Sequence, residues 1–527
     1  MAGRFLLCSS ARAGAAHCQP ALVRVDSTLA RSFPALLFNG FIEVGEEMKA
    51  VLPTGTISNM NPMNTDKLQA TLSARADYAH SLAPVAFGAA LMAVSALQGA
   101  LGQNAVPGLA SPEAVRAAAR DGTIAFRLTT PEELEHLLGK PESDRRKRDG
   151  DMELWMLEFP GVSATFARVC VLASPFTLFE LQAGGQGVDI GRDRQVVLRT
   201  VGDLKKPDFF RGLGGMSLAK LDLRDQIRLL NGLGFDSQTV WPGADRLPAG
   251  FEPARLLEEG KNPGLGVRKL HAAGIDGRGV GIAIMDQPLL LDHEEYKDRI
   301  VKYTEVEVEG SSPQMHGPAV ASIAVGKSCG VAPGAALYYF ACPSWKWLRN
   351  EPWAEQLDRI VEMNRGLTGT PRIRVVSISL GAFSERPNYA RWQQAVKKAE
   401  EAGILVVTCD PGFLTLGTLK RLEKRPDPTP SDYERGLYFY PGAALCVPAA
   451  NRTLASFRGP GLYTYDRNGG MSWTVPYLAG VAALGWQVNP AVKPQEMVEL
   501  WKRTAVRTAA GPVIDPVAVV EASRSLK

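Results

Sequence analysis

The chain has almost no net charge to offer a polyanion. Its 59 basic and 55 acidic residues leave +4 over 527 residues, a balance that argues against a nucleic-acid partner. Cysteine is scarce and unpatterned. None of the seven (Cys8, Cys18, Cys170, Cys329, Cys342, Cys409, Cys446) has CxxC spacing, which argues against a zinc or redox motif. The odd count gives no disulfide framework. The four in the C-terminal half lie in or beside apolar runs and read as small buried residues, with a Cys329–Cys342 bridge left open. Internal repeats are lacking as well: Leu218, Leu221 and Leu223 match one leucine-rich turn, but no period follows. No uncharged apolar run reaches the ~20 residues that a membrane-spanning helix needs, so no integral span is expected.

What is present is a globular composition, 45% apolar and 22% charged, in a chain long enough for two or three domains. Residues 1–62 lack periodicity and read as an extension or as sequence upstream of the true start. Residues 63–110 read as a leader. Within it, 82–97 (LAPVAFGAALMAVSAL) follows Lys67 and Arg75 and precedes a run of small residues. That is the order of parts in a secretory signal peptide. It implies export to the extracellular space or cell envelope; without it the expectation is cytoplasmic. Residues 111–250 read as an α+β region of unassigned role. A capped helix opens at Thr130-Pro131, a charged loop covers 144–151, and strands are expected at 153–159 and 195–199.

From residue 251 to 527 the pattern changes. Apolar strands at 280–286, 336–340, 374–380 and 404–408 alternate with helices at 267–273, 352–364 and 389–402. Such alternation predicts an α/β fold, a parallel sheet with helices on both faces. Functional groups in these sheets gather outside the carboxyl ends of the strands. Two strands carry polar punctuation at that end: VGIAIMD closes on Asp286, and VVSISLG closes on Ser379-Leu380-Gly381. Between them, MHGPAVASIAVG opens a small-residue helix with His316. Further on, NGGMSWTVPYLAG runs a glycine turn straight into an apolar helix, with Ser472 at the junction. Glycines allow the sharp turn, and a helix N-terminus offers unpaired N–H groups and a positive dipole end. Taken alone, this junction also reads as an ordinary serine cap.

Together the four blocks resemble the subtilases, the subtilisin-like serine peptidases. That family places Asp after a strand, His in an HG-containing helix start, a strand ending in Ser-Leu-Gly, and Ser before an apolar helix, in the order Asp, His, Ser. The resemblance covers about residues 256–527. It implies a subtilisin-like domain over 251–527, preceded by a smaller α+β domain with a propeptide-like role. It also implies a catalytic triad of Asp286, His316 and Ser472. Ser472 would be the nucleophile, His316 its base, and Asp286 the group that orients the imidazole. Ser379, Leu380 and Gly381 would pair with an extended peptide or protein substrate. No cofactor is expected. Many subtilases hold calcium, but no loop here has dense, spaced carboxylates, so no metal site is assigned.

One departure bears on activity. Where the family carries an Asn that donates to the oxyanion, this chain has Thr408-Cys409-Asp410-Pro411-Gly412. Losing such a donor costs about 100- to 1000-fold in rate, and Asp410 replaces it only if protonated. Two readings therefore stay open: a serine endopeptidase with an atypical oxyanion hole, and an impaired pseudoprotease that binds peptides or a partner protein in the same cleft.

Overall fold

The computed structural model describes residues 111–526, apart from 150–151, 170–174, 191–194, 207–211, 345, 424–425 and 441. The expectations for residues 1–62 and for the 63–110 leader with its 82–97 apolar core lie outside the described residues.

The first part is an antiparallel meander: β1 (Ser143–Asp149), β2 (Met152–Phe159), β3 (Val162–Val169), β4 (Thr177–Ala183) and β5 (Gln186–Gly187). Two helices, α1 (Pro112–Arg120) and α2 (Pro131–Leu138), accompany it. α2 starts as the sequence predicts: Thr130 and Glu133 form a reciprocal capping box behind a proline in the first turn. Val115, Leu134, Leu157, Phe166 and Leu178 fill this core. Two expectations fail here. Residues 144–149 are strand, not loop: among the described residues β1 is an outer strand paired only with β2. Arg146 lies 4.1 Å over the Trp155 ring, and Trp155 donates its indole N–H to Asp144 at 2.8 Å. Charge on an outer strand deters further pairing, so the charged run misled the reading. Residues 195–199 form no strand beyond an isolated bridge between Val197 and Ser217.

Residues beyond about 195 belong to a different core. Leu198, Leu213, Leu218, Leu221, Leu223, Phe235 and Phe251 are buried together with Tyr465 from far along the chain. The short strand β6 (Phe235–Asp236) pairs antiparallel with Thr464 and Tyr465. The leucines that suggested a repeat are simply part of this packing.

The main sheet follows the predicted α/β plan. β7 (Gly281–Asp286), β8 (Ile300–Glu305), β9 (Ala336–Ala341), β10 (Ile373–Ile378) and β11 (Leu405–Thr408) assemble in the order β11-β10-β7-β9-β8, every pair parallel. β7 and β9 are buried at every residue, as a two-sided parallel strand must be. α6 (Asn350–Arg365) and α7 (Tyr389–Glu401) cover one face. The other face holds α5 (His316–Val325) and α8 (Thr474–Val488), followed by α9 (Pro494–Thr504) and α10 (Pro516–Ser525). α8 is buried from Thr474 to Trp486, which explains its all-round apolar sequence. The helices that lead into β7, α3 (Pro253–Glu259) and α4 (Val267–Ala272), precede the sheet.

A second sheet combines β12 (Leu416–Arg421), β13 (Tyr433–Phe439), β14 (Leu445–Ala450), β17 (Val506–Thr508) and β18 (Gly511–Val513). The antiparallel pair β15 (Arg452–Ala455) and β16 (Tyr463–Asp466) then leads into the Ser472 turn, with β6 on the outer side of β16. Cys329, Cys342, Cys409 and Cys446 are all free thiols, so the 329–342 bridge does not form.

Candidate active site

The register of the main sheet brings the expected groups to one rim. Asp286 closes β7, Ser379 follows β10, and Cys409-Asp410 follow β11, all at the carboxyl ends. The start of α5 is pressed onto the chain just after Asp286. A Cβ on Gly317 would lie 2.5 Å from the Gln287 carbonyl oxygen and 2.9 Å from that of Pro288. Only a glycine permits this approach, and the approach delivers His316 to Asp286. The Tyr339 hydroxyl, donating to the Gln287 carbonyl at 2.6 Å, supports the same stretch.

His316 Nδ1 lies 2.7 Å from Asp286 Oδ1. The carboxylate also accepts the Gln287 N–H at 2.7 Å. Asp286 is 5% exposed and His316 22%. Burial pulls the His316 imidazolium down, but the Asp286 charge and hydrogen bond outweigh it and hold the ring above the ordinary histidine value. Around this carboxylate, burial first and the Asp286 charge second push the Cys409 thiol up, so it is no competing nucleophile.

Ser472 sits in a single 3₁₀ turn, Met471–Trp473, that runs into α8. It lines the same cavity of about 100 Å³ as His316, with Met315, Ala319, Phe457, Asp466 and Trp473. Its hydroxyl is 3.4 Å from the Ser379 carbonyl oxygen, and the Ser379 hydroxyl donates to the Ser472 carbonyl at 2.8 Å. The Ser-Leu-Gly segment is thus tied to the nucleophile turn. No hydrogen bond joins Ser472 to His316; before substrate binds, catalytic hydrogen bonds are often long.

The remaining candidates fall out differently. The Leu380 carbonyl accepts from Cys409 N at 2.9 Å and the Leu380 N–H turns back to Ile378 at 2.7 Å. These bonds tie Leu380 to the ends of β10 and β11. Asp410 is corrected. It is 3% exposed, and both carboxylate oxygens are acceptors: Oδ2 from Phe383 N at 2.6 Å and Ser384 N at 3.2 Å, Oδ1 from Gly412 N at 2.7 Å. The side chain clamps two loops, with both oxygens engaged by backbone N–H groups. Two residues escaped the sequence reading as functional groups. Trp473 packs with its ring centroid 5.1 Å from that of His316, and its indole N–H donates to Asp466 at 2.7 Å. The only signal was Trp473 standing directly beside Ser472; nothing marked Asp466.

Residues 277–410 match the subtilase family. That segment, which carries Asp286 and His316, is subtilase-like. The chain's match to the subtilisin-like protease PopC of Myxococcus xanthus (strain DK1622) is 25% identical over 281 residues, 46% of this chain and 58% of that protein. The chain thus aligns with little more than half the length of that curated relative. Among solved structures it is similar to a cold-adapted subtilisin-like serine proteinase (TM-score 0.35, 23% identity, 45% of this chain and 89% of that one). It is also similar to the prenylagaramide maturation protease PagA (TM-score 0.38, 17% identity, 49% and 98%). Among the described residues, no helix is long and apolar enough to cross a membrane.

Proposed function

We propose that this chain is a serine endopeptidase that hydrolyses peptide bonds through an acyl-enzyme. The observation that carries the reading is the 2.7 Å Asp286–His316 hydrogen bond at the wall of the cavity that Ser472 shares. With Nδ1 committed to Asp286, the imidazole faces the nucleophile with Nε2. Nε2 takes the Ser472 proton as Oγ attacks the scissile carbonyl carbon, and the imidazolium is stabilised by Asp286. The same proton passes to the leaving amine as the C–N bond breaks. Water, deprotonated by His316, then releases the acyl group. The developing oxyanion is served by the Ser472 N–H, one of the donors a helical first turn leaves unpaired. Without a side-chain donor at Asp410, turnover is expected to be about 100- to 1000-fold below that of a subtilase with both.

The second reading, a peptide-binding pseudoprotease, is favoured by two observations: the clamped Asp410 and a Ser472 hydroxyl that faces Ser379. A serine-directed fluorophosphonate separates them. Labelling of the wild type, lost in Ser472→Ala and His316→Ala, is the result expected of the peptidase. A wild type unlabelled from neutral to alkaline pH, yet still retaining peptide, ends the peptidase reading.

A further inference from the structure

One carboxylate on the cavity wall has no part in the triad. Asp466, the last residue of β16, accepts the N–H groups of Asn468 and Gly469 on Oδ1, each at 3.0 Å, and the Trp473 indole N–H on Oδ2 at 2.7 Å. A single side chain therefore holds both ends of the turn that carries Ser472. The turn has no room to relax outward. Gly469 has φ +68°, and a Cβ there would lie 2.8 Å from the Ala449 carbonyl carbon. Trp473 is 5% exposed and its ring is tilted 35° against the imidazole of His316. An indole has one N–H, so the acceptor that takes it fixes the ring plane.

We propose that Asp466 is a positioning residue for catalysis. Acting through Trp473, it sets the imidazole of His316, and acting through the 468–469 amides, it sets the Ser472 turn. Trp473 is the shield that keeps water off one face of the catalytic ring. This rests on the peptidase reading and adds to it a link between nucleophile and base that bypasses Asp286. The charged groups facing the imidazole are Asp286 from β7 and Asp466 across the cavity; its other neighbours there, Met315, Ala319 and Trp473, are neutral. Burial raises the Asp466 carboxyl above its ordinary value, against the lowering effect of its hydrogen bonds and of Arg452, which is opposite it on β15.

The test is the rate of fluorophosphonate labelling as a function of pH, on the full chain, for the wild type and four variants. Trp473→Phe keeps a ring but loses the N–H; about a tenfold slower rate is expected. Asp466→Asn cannot accept on both sides, because its amide NH₂ opposes one set of donors; about a 100-fold loss is expected, the scale of a small misplacement of reacting groups. In the double variant the indole N–H is gone, so adding Asp466→Asn to Trp473→Phe should cost only about tenfold. Non-additivity is the signature of a direct link. Trp473→Ala relieves the burial that pulls the imidazolium down, so the midpoint of the rate curve should move to higher pH. Additive losses, or a Trp473→Ala midpoint that stays with the wild type, overturn the proposal. A wild type that does not label at all overturns the peptidase reading instead. Circular dichroism shows which variants are folded, and the conservative Trp473→Phe carries the test if Trp473→Ala is not.

Discussion

Asp410→Asn distinguishes a loop clamp from an oxyanion donor, because the two roles predict opposite outcomes. The substitution restores at this position the side chain the family carries. As a clamp, Asp410 has one oxygen serving Phe383 and Ser384 and the other serving Gly412. Asparagine keeps one acceptor oxygen and turns an NH₂ toward the other set of donors. At least one bond to a carboxylate is lost and a buried N–H is left unpaired, at about 2–3 kcal/mol. The melting point falls by about 2–4 °C per kcal/mol in chains of 150–250 residues. The lower end applies to a longer chain, so a drop of about 4–6 °C is expected. Calorimetry on the Ser472→Ala background removes self-digestion from that measurement. In the active background the labelling rate should fall or stay level, since the new amide is held by loop backbone. An unchanged or higher melting point, with labelling about 100-fold faster, refutes the clamp and places this side chain at the oxyanion.

Other expectations follow from the same geometry. Asp286→Asn should slow labelling about 10⁴-fold; removing the charge that holds His316 up also moves the acid limb of the pH–rate curve to lower pH, and a limb that stays put contradicts the assignment. Gly317→Ala forces a Cβ against the Gln287 and Pro288 carbonyls. It should cost about 1–3 kcal/mol and about 100-fold in labelling rate through the displaced His316, as read by urea unfolding and labelling together. Glu295 accepts from Ser328 N and Oγ, Cys329 N and the Tyr463 hydroxyl. Burial raises its carboxyl, but these bonds outweigh it and hold it below the usual glutamate range. Its stabilising contribution is therefore complete above the unfolded value of about 4.3 and is lost as pH falls through the lower folded one. Glu295→Gln should unfold more easily at neutral pH and lose less stability than the wild type on acidification from pH 5 to 3, measured by urea midpoint on the Ser472→Ala background.

The strands of the main sheet were legible because two-sided burial leaves an unbroken apolar run: β7, β9, β10 and β11 lie within two residues of where the sequence puts them. Asp286, His316 and Ser472 were legible for another reason, the small residues around them that let backbone approach backbone, as at Gly317 and Gly469. What stayed hidden was decided by tertiary contact. Ser143–Asp149 is charged because it is an outer strand, a context no local window contains. Asp410 reads as a missing donor until the loop at 383–384 is seen to close on it. The Asp466–Trp473 bond joins residues only seven apart, yet nothing in their spacing says that the indole ends beside His316, far upstream in the chain.

Strand β6 carries a consequence for any maturation of this chain. Phe235 stacks on Tyr465 at 5.1 Å, and Asp236 lies 3.7 Å from Arg458, so residues 235–236 are stitched to the hairpin whose last residue is Asp466. A cut after residue 257 that released everything before it would strip the outer partner from β16 and expose Tyr465 to water. Removal of the meander alone, by a cut near 190–195, would leave that hairpin clothed. Of the two cuts, only the earlier one keeps β16 paired with β6.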